Sequence, residues 1–208
     1  MDAMDSGIAK FPDLIDARRD ELIALTQDLI RMPTLNPPGE AYLEICEYLA
    51  KRLKARKFHV ELIRAHGTPG DSERYPRWNV VARREGKGPG ACVHFNSHID
   101  VVETGHGWTM DPFGGELKDG KIYGRGACDM KGGLAASIIA AEAFIDSFPD
   151  FNGAIEISGT ADEETGGYGL SGGKGIFQSQ PRAACHHSRA LEQGPGLPWA
   201  SWCLVGGN

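Results

Sequence analysis

Apolar residues recur at three- and four-residue steps in three stretches of the chain, a pattern that predicts amphipathic helices. The first stretch covers residues 13–32 and ends before Pro33. The second covers residues 42–57 and follows the turn-rich connector TLNPPGE, and the third covers residues 133–148. Two helices therefore open the chain, and a third lies near its middle.

Short apolar runs, separated by Gly, Pro and charged residues, predict strands at residues 59–63, 78–82, 91–96 and 154–158. Residues 116–123 read as a hairpin, because Asp119 and Gly120 form a typical turn pair. Helices that alternate with short strands predict an α/β fold, a layered mixed sheet flanked by helices. In such sheets, ligands gather beyond the strand ends.

The amino-acid composition and net charge limit which kinds of molecule the protein is expected to bind. The 208 residues are 41% hydrophobic and carry a formal charge of −6, which argues against a nucleic-acid surface and favours a small molecule or peptide. The start, MDAMDSGIAKF, lacks the apolar stretch of a signal or membrane anchor, so we expect no membrane partner and a cytoplasmic location. Five cysteines without CxxC spacing predict neither a disulfide framework nor a thiolate zinc site.

Three short segments carry candidate chemistry: SHID at residues 97–100, GRGACDMKGG around Asp129, and SGTADEETGG with Glu163 and Glu164. Residues two apart in a strand share a face, so Asp100 is predicted to steady the imidazole of His98 while its other nitrogen binds metal. Carboxylates and an imidazole gathered in one place need a cation to balance their charge.

The two glutamates suggest a division of labour. In an extended segment their side chains point apart, so we assign Glu164 as a metal ligand and Glu163 as the general base. Asp129, between flexible glycine-rich stretches, is predicted to bridge two cations. Such cations activate water and polarise a carbonyl, and the predicted reaction is therefore amide hydrolysis.

Each motif also has a plainer interpretation. A lone HxD is usually a hydrogen-bonded histidine near a strand end, and an acidic triplet is often a solvated turn. His94 is interpreted as a packed or surface residue and His106 as a loop residue. GLSGG at residues 169–173 matches a serine-hydrolase motif without the strand that it needs. A non-catalytic protein that binds metal or a partner is the remaining alternative.

Taken in order, the stretches HFNSHIDVVETGHGWTMDPFGG, GRGACDMKGG and GTADEETGG resemble the M20 metallopeptidases, and most closely their branch of acetylornithine deacetylases and succinyl-diaminopimelate desuccinylases. The resemblance implies that His98 and Glu164 each bind one metal and that Asp129 bridges both. It implies that Asp100 orients the histidine and that Glu163 is the base.

The same resemblance implies a zinc-exopeptidase-like catalytic domain with two Zn²⁺ or Co²⁺ ions. It also implies N-acylated amino acids or small peptides as substrates, and homodimers formed through an inserted lid domain.

The segment after residue 169 departs from the family pattern, which continues with another carboxylate ligand, the lid and a distant histidine. We therefore expect residues 1–169 to be the N-terminal part of the catalytic domain and residues 170–208 to be an aberrant, low-order tail. Read from the second base of each codon, the tail permits VIIPEP and later family-like strings, which suggests a frameshift near Leu170. Lacking those ligands, the chain is expected to bind metal poorly and to hydrolyse nothing efficiently.

Overall fold

The computed structural model describes residues 11–165 and the backbone of residues 185–187. Its helices are α1 (Arg19–Arg31), α2 (Tyr42–Ala55) and α3 (Lys131–Ser147). A short helical segment at residues 11–16 precedes α1, and a turn separates the two where the sequence pattern predicted one continuous helix. The strands are β1 (His59–Arg64), β2 (Trp78–Glu85), β3 (Cys92–His98), β4 (Glu116–Lys118), β5 (Lys121–Tyr123), β6 (Ala154–Thr160) and β7 (Cys185–His187).

Five of the strands form one mixed sheet in the order β1-β2-β6-β3-β7. Strand β2 is antiparallel to both of its neighbours, β1 and β6, whereas β3 runs parallel to β6 and to β7. Because β3 and β6 are parallel, their carboxyl ends reach the same edge of the sheet, where His98 pairs with Thr160. The loops that follow these two strands therefore start side by side.

The described helices pack against one face of this sheet. Helix α2 lies on β1 and β2, α3 lies on β3 and β6, and α1 packs against α3. The side chains of Val80, Ala82, Ile155 and Ile157 point from the sheet into this layer, where they join the apolar faces of the helices. The buried helical residues of this core include Leu25, Leu29, Ile45, Leu49, Leu53, Leu134 and Ile138.

Polar contacts also tie the helices together. Arg52 of α2 donates from Nε and Nη2 to the two carboxylate oxygens of Glu142 in α3, at 2.9 and 2.7 Å. In the middle of α2, the Tyr48 hydroxyl donates to the Asp28 carboxylate of α1 at 2.8 Å. These contacts fix how the three helices sit on one another.

The opposite face of the sheet carries polar side chains. His94 of β3 pairs with Glu156 of β6, and the next pair on this face is Asn96 with Ser158. The imidazole Nε2 of His94 lies 2.8 Å from the hydroxyl of Ser158, which donates to the amide oxygen of Asn96. His94 is buried in this chain of hydrogen bonds, as expected for a packed histidine.

The predicted strands are all present, and β1, β2, β3 and β6 extend one to three residues beyond their predicted ends. The hairpin turns at Asp119 and Gly120, both with positive φ, as a two-residue type I′ loop requires. Strand β7 was not predicted, because residues 185–187 have no strand-like pattern. The rest of the predicted tail, including GLSGG, lies outside the described residues. Among the described residues, every helix is too short or too polar to span a lipid bilayer.

Substitution of one buried and one exposed leucine tests which side chains belong to the hydrophobic core. Leu134 of α3 is fully buried, whereas Leu117 of β4 is 46% exposed. Leu134→Ala is expected to lower the free energy of unfolding by about 2–5 kcal/mol, because it removes buried methyl groups and leaves a cavity. Leu117→Ala, the same substitution at the surface, should change it by less than about 1 kcal/mol. Urea titration followed by circular dichroism measures both values, and equal losses would contradict the packing described.

Candidate metal centre

The candidate donors lie at the edge of the sheet where β3 and β6 end. Pairing continues one residue past β3, because the Ile99 amide donates to the Thr160 carbonyl at 2.9 Å. The His98 amide donates to the sulfur of Met130 at 3.2 Å, which draws the segment before α3 to the same edge. Three separate parts of the sequence therefore converge there.

The His98 imidazole is held in one orientation. Its Nδ1–H donates to the backbone carbonyl of Asp100 at 3.0 Å and lies 3.5 Å from the Asp100 carboxylate. Its Nε2 faces outward, 3.0 Å from a carboxylate oxygen of Asp129 and 3.9 Å from one of Glu163. A histidine fixed through one nitrogen presents the other to a metal in a single tautomer.

The charges around His98 favour its protonated form in the absence of metal. Burial disfavours the imidazolium, but hydrogen bonding and charge attraction from Asp100, with contributions from Asp129 and Glu163, outweigh burial and raise the pKa of His98 to about 9. A cation that binds Nε2 must therefore displace a proton at neutral pH.

Asp100 does more than orient His98. It lies beyond the end of β3, so the shared strand face predicted from the sequence does not apply. One carboxylate oxygen accepts the Glu163 amide at 3.2 Å, and the other accepts the Glu164 amide at 3.1 Å and the Asn36 side-chain amide at 2.9 Å. Burial raises the pKa of Asp100, but these hydrogen bonds and His98 outweigh it and leave the pKa below its ordinary value.

His98, Asp129 and Glu164 each offer a donor atom, and the three atoms lie within 4.8 Å of one another. Burial raises the pKa of Glu164; His98 opposes this, and the charges of Asp129, Asp100 and Glu163 add to it. A divalent cation among these oxygens would relieve the repulsion, and imidazole with carboxylates suits Zn²⁺ or Co²⁺. The donor set therefore fits a metal ion, and the ligand roles of these residues remain predictions.

The extended backbone predicted for the two glutamates is wrong, whereas the roles assigned to them stay predictions. Residues 163–165 form a turn, because Asp162 before them takes the left-handed conformation with φ of 62°. Both glutamates consequently lie beside His98 instead of pointing apart. Glu163 has half of its side chain exposed, so water can reach its carboxylate. This exposure is compatible with the predicted role of a base.

Several residues around the cluster were missed by the sequence interpretation. Asn36, within the connector TLNPPGE, is buried and donates to Asp100 and to the Thr165 hydroxyl. Asp162 was considered only as part of an acidic turn, yet its carboxylate is buried and bonded to Tyr42 and Arg77. A hydrophobic pattern cannot identify such partners, because they lie far apart in the sequence.

Lys131, the first residue of α3, was also missed. Its amine is buried and donates to the carbonyls of Leu29 and Met32 at 2.9 and 2.7 Å, at the end of α1. Burial lowers the pKa of Lys131 to about 7, although Asp100 acts in the opposite direction. Either protonation state can donate to these carbonyls, so Lys131 anchors the segment that carries Asp129.

Neither His94 nor His106 joins the cluster of donors that the described residues form. His94 lies within the sheet, and His106 lies on the exposed loop that also carries Trp108. Trp108 stacks near the guanidinium of Arg125, 5.5 Å from its ring centre. The loop interpretation of His106 agrees with this placement.

Comparison with known proteins adds to the geometry. The model of peptidase family M20/M25/M40 matches residues 94–198, half of the chain. A succinyl-diaminopimelate desuccinylase of Acinetobacter baumannii is 39% identical over 146 residues, which cover 69% of this chain and 35% of that protein. The chain thus spans about a third of the length of the curated relatives it matches.

Solved structures share the fold. Human carnosine dipeptidase 1 superposes with a TM-score of 0.70 at 23% identity, over 83% of this chain and 38% of that one. The YXEP protein of Bacillus subtilis, described as a dinuclear metal binding peptidase, superposes with a TM-score of 0.50 at 19% identity, over 78% of this chain and 41% of that one. With the family model matching half of its residues, the chain belongs to peptidase family M20/M25/M40.

Proposed function

We propose that the chain carries part of the active site of a metal-dependent hydrolase that cleaves amide bonds in N-acylated amino acids or small peptides. The convergence of His98, Asp129 and Glu164 within 4.8 Å, with Glu163 beside them, carries this proposal. The desuccinylase relatives support it and make a succinylated diamino acid one candidate substrate, with acetylornithine another.

In the proposed mechanism, His98, Asp129 and Glu164 would hold the cations, with His98 and Glu164 each serving one ion and Asp129 serving both. Bound cations would polarise the amide carbonyl and increase the acidity of an attacking water. Glu163 takes the proton of that water and delivers it to the departing nitrogen, which its exposed position beside the cluster allows. Asp100 holds the imidazole and both glutamate amides in place throughout.

We further propose Zn²⁺ or Co²⁺ as the metal, two ions in the complete enzyme, homodimers among full-length relatives, and a cytoplasmic location. Three donors are too few for two ions, so the remaining ligands must come from elsewhere in the complete protein. We also keep as a proposal a frameshift near Leu170, with residues 170–208 as an aberrant tail, and the nucleotide sequence around and beyond that codon tests it.

A non-catalytic metal-binding or interaction protein is the alternative. Structural zinc sites usually close with four ligands rich in cysteine. The donor cluster that the described residues form is mostly carboxylate, and its base candidate is open to water. These features favour the hydrolase.

The paired glutamates give a matched test of the assigned roles. Glu164→Gln is expected to weaken Co²⁺ binding by about tenfold or more, because it removes a ligand. Glu163→Gln, the same change one residue away, should leave Co²⁺ affinity within about threefold, since a base does not bind the ion. Isothermal titration with Co²⁺ measures both, and the reverse ranking would exchange the two roles.

Metal affinity should rise with pH. Because the pKa of His98 is about 9 without metal, the ion competes with a proton below that pH. The apparent Co²⁺ affinity is expected to increase about tenfold per unit between pH 6 and 8. Glu163→Gln keeps His98 and should show the same slope. A flat profile in both proteins would mean that His98 does not bind the ion.

The chain is expected to hold fewer than two tightly bound ions, because the described residues bring together three candidate donors, too few for two ions. Elemental analysis after gel filtration in zinc-containing buffer gives the stoichiometry. Hydrolysis of N-acetylornithine and of N-succinyl-diaminopimelate, measured on the same sample, should not rise above the rate with a chelator present. Two retained zinc ions per chain would refute the expectation of an incomplete site.

A further inference from the structure

Arg77 lies just before β2 and is almost completely buried. Its Nε donates to the Asp162 carboxylate at 3.0 Å, and its Nη1 donates to the carbonyls of Pro38 and Tyr75 at 2.7 and 2.8 Å. The guanidinium therefore joins three loops: the connector before α2, the loop before β2 and the turn after β6. None of these contacts involves a candidate metal ligand directly.

The space around this guanidinium is closely fitted. A Cβ atom at Gly39 or at Gly70 would overlap the guanidinium of Arg77, and both glycines have positive φ, 98° and 84°. Larger residues at either position would push the arginine away from Asp162. The two loops are thus shaped to admit this one side chain.

Tyr42 holds the other oxygen of the same carboxylate. Its hydroxyl donates to Asp162 at 2.9 Å, and its ring is buried at the start of α2. Burial, with the negative charges of Asp100 and Asp162, raises the pKa of Tyr42 well above its ordinary value, so the hydroxyl keeps its proton and remains a donor. We call Arg77, Tyr42 and Asp162 the Asp162 cluster.

Asp162 itself takes a left-handed conformation, with φ of 62°, immediately before the two glutamates. A residue other than glycine keeps this conformation only when its surroundings hold it there. The turn over residues 163–165 starts from this point, and its amides reach Asp100 on the other side. The turn is therefore held from two directions.

We propose that Arg77 and Tyr42 are positioning residues that act through Asp162. They fix the turn over residues 163–165, which carries the candidate base and a candidate ligand. The roles given to those two glutamates rest on the proposed function, whereas the fixing of the turn does not. A buried ion pair adds little net stability, because desolvating its charges costs about as much as their attraction returns. The Arg77–Asp162 pair is therefore expected to affect the geometry of the turn more than the stability of the fold.

The chain offers matched controls for both residues. Tyr42→Phe removes one hydroxyl and keeps the ring, and Tyr48→Phe removes the equivalent hydroxyl bonded to Asp28 between helices. Arg77→Lys keeps the charge and loses the planar fork, and Arg52→Lys does the same at the carboxylate of Glu142. Tyr42→Phe is the milder change and remains informative if Arg77→Lys does not fold.

Amide hydrogen exchange, measured by NMR without metal, reports the turn directly. In Tyr42→Phe and Arg77→Lys, the amides of Glu163 and Glu164 are expected to exchange about tenfold faster, while core amides of β6 such as that of Ile157 keep their rates. The two control variants should leave the glutamate amides unchanged. Co²⁺ titration of the same proteins should show about tenfold weaker binding in the first pair only.

The outcomes separate the two hypotheses. Unchanged glutamate amides in the folded Tyr42→Phe variant would overturn the positioning role, as would equal acceleration in the control variants, which would indicate a general loss of stability. If the unsubstituted chain binds no Co²⁺ while the exchange pattern is as expected, the proposed metal site fails and the positioning role stands.

Discussion

The carboxylate of Asp100 connects the ends of β3 and β6. It lies in the loop after β3 and accepts the amides of Glu163 and Glu164 in the turn after β6, and Asn36 of the connector before α2 also donates to it. Full burial would make a lone carboxylate very costly, and these hydrogen bonds offset that cost. The distance between the histidine and the two glutamates depends on this contact, because it joins the loop after β3 to the turn after β6.

This arrangement places like charges together. Asp129, Glu163 and Glu164 surround the single imidazole of His98. Burial raises the pKa of Glu164, and the charges of the neighbouring carboxylates add to that increase. A fold tolerates such repulsion only where other contacts over-determine the backbone. Asp100 accepts the amides of the two glutamates in the turn, and Tyr42 and Arg77 hold the carboxylate of Asp162, the residue just before it. The rigidity of the surroundings therefore allows an electrostatically unfavourable group of donors to persist.

Most of the secondary structure and the candidate donor residues could be predicted from the sequence. Helical and strand periods located α2, α3 and all but the last strand, because local apolar patterns report which face an element buries. Motif chemistry also singled out His98, Asp129 and the paired glutamates. The backbone conformation of the paired glutamates could not be predicted. Asp162 takes a left-handed conformation, so the segment after it is a turn and not the expected extended strand. Nor could Asn36 and Arg77 be predicted, because their carboxylate partners, Asp100 and Asp162, are more than sixty positions away and leave no periodic pattern.

The close fit around Arg77 has a consequence for how this region can diversify. Gly39 and Gly70 each abut the guanidinium, so a side chain at either position would meet Arg77 as well as an unfavourable φ. At Gly67, in the same loop as Gly70, the space is open and only the φ of +70° disfavours a side chain. Sequence variation in this loop should therefore be restricted most strongly where the backbone faces Arg77.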